Sequence, residues 1–318
     1  MSSQSAKRQR TEDAPIIRSE IWYDDGSLVL QAQKTQFRVH WGILGKQSSF
    51  FRDMQASLPP DQSTVDGCPV VELSDEVTDL DHLLTAVYDS TFLAQIAVPL
   101  SCIAALIRLG RKYDFRNILH SAVERLTFEN PSTLDAYDAR MAFDGKNYIS
   151  TRIVGYPGVL YDMLTVAREN NILSALPCAY YRAAHLYKPE SLFAGITKQD
   201  GTSSSLAPID QQRCILGREK LIRAQTQEGY TLGWLREWDS DSCTDPAGCN
   251  KWRASMLRKY LDHLAPWALT PFIAFRTTVC ASCSKHIEQS MLGGRKKIWE
   301  DLPSYFDLAP WSELKNGL

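Results

Sequence analysis

The sequence lacks any apolar run long enough to cross a bilayer, and its first residues lack the apolar stretch of a secretory signal. A membrane-spanning helix needs about 18 or more consecutive apolar residues, and a signal peptide needs a shorter apolar segment near the N-terminus. The two absences predict an intracellular protein without membrane contact, located in the cytoplasm, the nucleus or both.

The chain also lacks an excess of charge of either sign. Lysine and arginine number 35 against 37 aspartates and glutamates, which gives a formal net charge of −2. Nucleic-acid binding depends on clustered basic side chains that neutralise phosphates, and no long basic stripe is present. Direct binding to nucleic acid by the main body of the chain is therefore not expected.

Motifs of catalysis and phosphate binding are missing as well. Ser48 and Ser49 do not lie in the G-x-S-x-G turn that exposes a nucleophilic serine, and "LGGRKK" at 292–297 lacks the spacing of a P-loop. The serines suit the N-cap of a helix beginning near Phe50. His40 ends a predicted strand and suits a structural role at the junction with the next helix, because no catalytic partner lies nearby in the sequence. No enzymatic activity is predicted.

What the sequence does contain is the composition of a folded protein. Hydrophobic residues make up 44% and charged residues 23% of its 318 residues, so that two or three compact units are expected. Residues 1–18 differ from the rest because they are small and polar, and they are predicted to form a flexible tail. The run "KRQR" at 7–10 has a second interpretation as a nuclear import signal.

Hydrophobic periodicity predicts a small sheet followed by helices. Residues 27–32 and 36–40 are two short apolar runs separated by a polar turn, which predicts a hairpin, and 69–73 suit a third strand. Further along, apolar residues recur at helical spacing, with a predicted capping box beginning at Thr78 and a helix beginning at Pro99. This order indicates an α+β unit in the first part of the chain.

These elements resemble the BTB/POZ domain. The family pattern is an apolar-x-apolar-His run that continues to a leucine, followed by a serine-containing turn, an aromatic pair and a methionine. The matching positions in this sequence are Phe37, Val39, His40, Ile43, Leu44, Ser48, Ser49, Phe51 and Met54. Trp41 departs from the pattern, since the family usually has a basic residue there. The resemblance implies the α+β BTB/POZ fold, a small sheet with a helical cluster.

The rest of the chain resembles the C-terminal part of a large fungal group of BTB-domain proteins and is predicted to be mostly α-helical. The predicted organisation is a tail at 1–18, a BTB/POZ domain at 19–130, a helical region at 131–240 and a cysteine-bearing helical region at 241–318. The resemblance also implies a homodimer formed through the first hairpin-and-helix region. The apolar segment at 15–25 is expected to contribute to that contact.

Two interaction functions follow from the resemblance. In the first, the protein is an adaptor whose BTB/POZ domain dimerises and docks a cullin-type ubiquitin ligase scaffold, while the C-terminal region recruits another protein. In the second, it is a nuclear regulator that recruits transcription or chromatin factors through the same domain, with the basic run at 7–10 as its import signal. No kelch, MATH or ankyrin repeat is present to identify a client protein.

The eight cysteines are expected to be free thiols or metal ligands, because structural disulfides seldom persist in a reducing compartment. Five residues separate Cys243 from Cys249 and two separate Cys280 from Cys283, with His286 shortly after. Four thiolates, or three with the His286 imidazole, would complete a tetrahedral structural zinc site. Free, partly buried thiols are the other interpretation, and redox or disulfide use is a third.

The C-terminal stretch at 298–314 is rich in large apolar side chains, among them Trp299 and Trp311. Exposure of so many apolar groups would create a costly surface patch. Burial against the helical region is therefore expected in preference to a role as an exposed anchor. A helix ending at Pro303 is predicted within this stretch.

Overall fold

The computed structural model of the chain describes residues 15–59, 61–236, 242–275 and 277–317. The chain divides into two compact units, one reaching Glu124 and the other running from Arg125 to Gly317. Residues 1–14 of the predicted tail, including the basic run at 7–10, lie outside the described residues. The finer four-part organisation stays a prediction.

The first unit consists of a sheet and a cluster of helices. Its strands are β1 (Ile17–Trp22), β2 (Leu28–Ala32), β3 (Thr35–Val39), β4 (Thr64–Val65) and β5 (Cys68–Leu73). Its helices are α1 (Trp41–Gln47), α2 (Ser49–Ala56), α3 (Val77–Tyr88) and α4 (Leu100–Lys112), and α5 (Arg116–Glu129) begins in it.

The predicted hairpin is confirmed, since β2 and β3 pair antiparallel with Leu30 opposite Phe37. β5 pairs parallel to β2, β1 pairs parallel to β3, and the strand order is β1-β3-β2-β5-β4. The sequence pattern does not predict β1 as a strand. Parallel pairing needs a long connection and therefore leaves no turn signal of the kind that marks a hairpin.

At the end of β3, burial follows the alternation of side chains along the strand. Phe37 and Val39 are fully buried, whereas Arg38 and His40 on the opposite face are half-buried, as the period of two predicts. Helix α4 adds a nearly continuous buried surface that includes Ile107. Each large apolar side chain buried in this way stabilises the fold by about 1.5–3 kcal/mol.

Helix starts in this unit agree only in part with the sequence. Ser48 is the N-cap of α2, and its hydroxyl accepts a hydrogen bond from the Phe51 N–H at 3.1 Å, which confirms the predicted cap. The predicted capping box at Thr78 is wrong. The N-cap of helix α3 lies two residues earlier, at Glu76, and makes no side-chain cap bond. Pro99 is the N-cap of α4 rather than its first residue.

The second unit is mostly helical. Its helices are α6 (Leu134–Asp138), α7 (Val159–Glu169), α8 (Leu176–Leu186), α9 (Pro189–Ala194), α10 (Pro208–Ala224), α11 (Pro246–Asp262), α12 (Ala281–Glu300) and α13 (Leu302–Tyr305). A two-stranded ribbon, β6 (Ile196–Thr197) with β7 (Ser203–Ser204), lies between α9 and α10.

A buried carboxylate joins three helices of this unit. Asp210 in α10 is fully buried and accepts hydrogen bonds from Arg168 Nε of α7 at 2.7 Å and from the Tyr180 hydroxyl of α8 at 2.6 Å. An unpaired buried carboxylate would be costly, so these two donors are what make the position of Asp210 tolerable. The polar contacts therefore fix how α7, α8 and α10 meet.

The aromatic C-terminal stretch is packed as predicted. Trp299 is buried, and Trp311 stacks on it with ring centroids 5.6 Å apart while donating its indole N–H to the Trp299 carbonyl oxygen. The predicted helix end at Pro303 is wrong. Helix α12 ends at Glu300, and Pro303 lies in the first turn of α13, a position that proline tolerates because its missing N–H would have no partner there.

Across the described part of the chain, no helix combines the length and the apolar character that a membrane crossing requires.

Candidate functional site

The first cysteine pair brackets the N-terminus of α11. Asp245 is the N-cap of this helix, and its carboxylate accepts a hydrogen bond from the Gly248 N–H at 3.0 Å. Pro246 follows at the first helical position, which its fixed φ angle favours. Cys243 therefore precedes the helix and Cys249 lies in its first turn. The Asp-Pro dipeptide is a helix-start signal that could have predicted this geometry from the sequence.

The second pair brackets the N-terminus of α12 in a similar way. Cys280 is the N-cap residue and Cys283 is the third residue of the helix, where it is fully buried. The positive end of a helix dipole favours a thiolate over a thiol. Both pairs thus lie at the N-terminal ends of helices.

The fold brings the two pairs together. The ligand atoms of Cys243, Cys249, Cys280 and Cys283 all lie within 4.8 Å of one another, and the Sγ atoms of Cys243 and Cys280 are 3.9 Å apart. Four sulfurs at about 2.3 Å from a tetrahedral zinc ion are about 3.8 Å from each other. The group thus has nearly the spacing that zinc requires. His286 is exposed and does not belong to the group.

Hydrogen bonds and burial act in opposite directions on the four sulfurs. The backbone N–H groups of Cys283 and Thr244 donate to Cys280 Sγ and lower the pKa of its thiol to about 5, which favours the thiolate. Burial raises the pKa of Cys249 and of Cys283. A bound divalent cation would compensate for this desolvation, because it coordinates the deprotonated sulfur and displaces the proton. The donor set therefore fits a thiophilic metal ion such as Zn²⁺.

The remaining four cysteines are separate buried thiols. Cys68 Sγ donates to the Gly26 carbonyl oxygen at 2.9 Å, and Cys102 Sγ lies 3.4 Å from both ring nitrogens of His82. Burial raises the pKa of Cys178 to about 12, so this residue remains a thiol. All eight cysteines of the chain are free.

His40 contacts a tyrosine and an aspartate. Its Nδ1 lies 3.1 Å from the Tyr88 hydroxyl, which also accepts the His40 backbone N–H at 2.8 Å. Its Nε2 lies 3.2 Å from Asp25 Oδ1 in the turn before β2. The ring thereby ties the end of β3 to the end of α3 and to that turn. Burial raises the pKa of Tyr88 to about 12, which keeps its hydroxyl protonated.

The two serines have other partners. Ser48 Oγ donates to the Tyr113 carbonyl oxygen at 2.5 Å while it caps α2, and Ser49 Oγ donates to Asp114 Oδ2. Both hydroxyl protons therefore go to acceptors that are not a histidine. These contacts join the start of α2 to the end of α4, which is a structural role.

The remaining positions of the predicted BTB signature lie mainly in the core. Phe37, Val39, Leu44 and Phe51 are buried, and Met54 is half-buried. The Phe51 ring packs against the rings of Tyr113 and Phe115 at 5.4 and 5.8 Å between centroids. Most of the signature thus specifies packing, and its polar members join chain segments.

The first unit carries exposed isoleucines beside a strand edge that is unpaired in the sheet as described. β1 is the terminal strand of that sheet, and Ile16 and Ile17 at its start are 52% and 56% exposed. A terminal strand presents backbone hydrogen-bonding groups to a further strand. We refer to Ile16, Ile17 and the outer edge of β1 as the β1 edge.

Comparison with known families assigns the first part of the chain. The BTB/POZ domain family matches residues 24–129, which run from the turn before β2 to the end of α5. No curated protein matches the chain. The resemblance of the C-terminal region to a fungal group of BTB proteins therefore stays a prediction.

Proposed function

Residues 24–129 form a BTB/POZ domain, a module of protein–protein interaction, and on that premise we propose that the protein is a non-enzymatic adaptor that self-associates through this domain. BTB domains commonly form homodimers and bind partners such as cullins. The family match is the observation that carries the proposal. The β1 edge precedes the matched residues but pairs with β3 of the domain, and it supports the proposal because it combines exposed isoleucines with a terminal strand.

We expect the β1 edge to lie in the interface of the homodimer. An aspartate in place of Ile17 would bury an unpaired carboxylate there, which is costly. The Ile17→Asp variant should therefore raise the dimer dissociation constant by about tenfold or more, as measured by analytical ultracentrifugation. Ile96→Asp is the matched control, because Ile96 is also exposed in the first unit but lies outside β1.

The control should dimerise like the unmodified protein. A full-length protein that stays monomeric at all accessible concentrations would contradict self-association. Equal weakening by the two substitutions would contradict the placement of the interface at the β1 edge, while the dimer itself would stand.

The partner beyond the dimer distinguishes two forms of the proposal. A substrate adaptor of a cullin-type ubiquitin ligase should recover cullin subunits when the full-length protein is purified under native conditions and its partners are identified by mass spectrometry. A nuclear regulator should recover chromatin proteins instead, and a reporter fused to residues 1–20 should enter the nucleus. A reporter that stays in the cytoplasm would refute the nuclear-regulator form.

The four-cysteine group is proposed to hold a structural Zn²⁺ in the second unit. Its support is the convergence of four sulfurs within 4.8 Å, with backbone N–H groups directed at them. With four protein ligands the ion would have no open position for water and would do no chemistry. Its role would be to fasten the start of α11 to the start of α12.

A further inference from the structure

The second unit contains a cavity with aromatic walls. Its volume is about 430 Å³, and its walls include the rings of Tyr137, Tyr181, Trp267 and Phe275. Sites for small organic molecules typically have volumes of about 300–1,000 Å³ and are lined mainly by apolar and aromatic side chains. Rings arranged in this way bind a planar apolar body through stacked and edge-on contacts.

One wall of the cavity is fastened in place by hydrogen bonds. The Tyr181 hydroxyl in α8 donates to the Pro266 carbonyl oxygen at 3.2 Å and accepts the Leu269 N–H at 3.0 Å. Both partners belong to the segment between α11 and α12, which also supplies Trp267 and Phe275. A wall held in this way is formed before any ligand arrives, which reduces the entropy lost on binding.

Two polar groups on the cavity wall can hydrogen-bond to a ligand. Tyr137 is 4% exposed, and burial raises the pKa of its hydroxyl, which therefore stays protonated and can donate. His185 Nδ1 lies 2.9 Å from the Pro266 carbonyl oxygen, which can only accept, so Nδ1 carries the proton. Burial lowers the pKa of the His185 ring and keeps it neutral, which leaves Nε2 as an acceptor.

The charged side chains that line the cavity are all positive. Lys146 and Lys259 are exposed members of the lining, and neither forms an ion pair with a described residue. No aspartate or glutamate is among the lining residues. An acid group of a ligand would therefore meet two ammonium groups and no carboxylate among the lining residues.

We propose that this cavity binds a small organic acid, with a planar aromatic body between the rings and a carboxylate, sulfonate or phosphate group at Lys146 and Lys259. The aromatic walls would contact the planar body of the ligand, and the two lysines would attract its negatively charged group. This binding site is independent of the BTB/POZ domain and of the proposed adaptor role.

Two fluorescent probes with the same aromatic skeleton test the proposal on the full-length protein. 8-Anilinonaphthalene-1-sulfonate carries an acid group, and N-phenyl-1-naphthylamine lacks it. The sulfonate should bind about tenfold more tightly than the neutral probe, because only the sulfonate interacts with the lysines. Equal affinities would overturn the proposal.

Two lysines on the same helix give a matched pair of variants. Lys259 and Lys251 are both exposed on α11, but only Lys259 lines the cavity. Lys259→Glu should weaken sulfonate binding by about tenfold or more and leave the neutral probe nearly unchanged. Lys251→Glu should change neither. If both variants weakened sulfonate binding equally, the sulfonate would be attracted by the overall surface charge and not by the cavity, which would overturn the proposal.

A third variant tests the location of the probe. Ala274 lines the cavity, and Ala274→Trp should fill it and abolish binding of both probes. Sulfonate binding that survives this substitution in a protein with an unchanged melting temperature would place the probe elsewhere and overturn the proposal. If Ala274→Trp unfolds the protein, the comparison of Lys259→Glu with Lys251→Glu decides.

Discussion

The protein purified from cells is expected to contain about one Zn²⁺ per chain, and its removal should lower the melting temperature of the second unit by about 8–16 °C. A ligand present at a thousand times its dissociation constant stabilises the folded state by about 4 kcal/mol, and a domain of this size loses about 2–4 °C per kcal/mol. Metal content is measured by inductively coupled plasma mass spectrometry. Melting is followed by circular dichroism with and without a chelator.

Two buried cysteines of the second unit provide the variant and its control. Cys283 and Cys178 are both fully buried, but only Cys283 belongs to the four-cysteine group. Cys283→Ala should lose the metal and reproduce the effect of the chelator. Cys178→Ala should keep one zinc per chain and show only the smaller cost of a lost buried sulfur. The structural metal site would be refuted if the unmodified protein contained no metal and its melting temperature did not change with added zinc or chelator.

Substitution of two adjacent glycines by alanine is expected to change stability in opposite directions. Gly294 in α12 lies directly against the backbone of Tyr230 and Thr231, and a Cβ at this position would overlap both. The helix would have to move away, at a cost of about 3 kcal/mol. Gly294→Ala should therefore lower the melting temperature by about 6–12 °C.

Gly293 is the control one position earlier in the same helix. It is exposed, and a Cβ there meets open space. Because alanine favours a helix more than glycine does, Gly293→Ala should stabilise the protein by about 0.5–1 kcal/mol. Both free energies of unfolding can be measured by urea denaturation. Changes of the same sign and size would contradict the close approach of α12 to residues 230–231.

Local patterns determined much of the first unit. The β2–β3 hairpin follows from two apolar runs separated by a polar turn, and the burial of Phe37 and Val39 follows from a period of two in the second run. The helical spacing that begins near Thr78 is confirmed in α3, although its cap is not the predicted one. Each of these features depends on residues close together in the sequence.

Local sequence patterns predicted only part of the four-cysteine site. The sequence shows two cysteine pairs, and their spacing within each pair suits a metal ligand set. Whether the pairs meet depends on how α11 and α12 pack, and Cys243 is 37 residues from Cys280. The predicted ligand set could not choose between His286 and a fourth cysteine, whereas the fold places four sulfurs together and leaves His286 exposed.

The sequence by itself thus determined the elements with a local period, the BTB/POZ resemblance and the residue types available for a metal. Only the tertiary structure decided the parallel position of β1, the meeting of the four sulfurs, the aromatic cavity and the difference between Gly293 and Gly294. The physical reason is that periodicity and capping act over a few residues. The other features arise from contacts between segments that are distant in the chain, which depend on how the helices and strands pack.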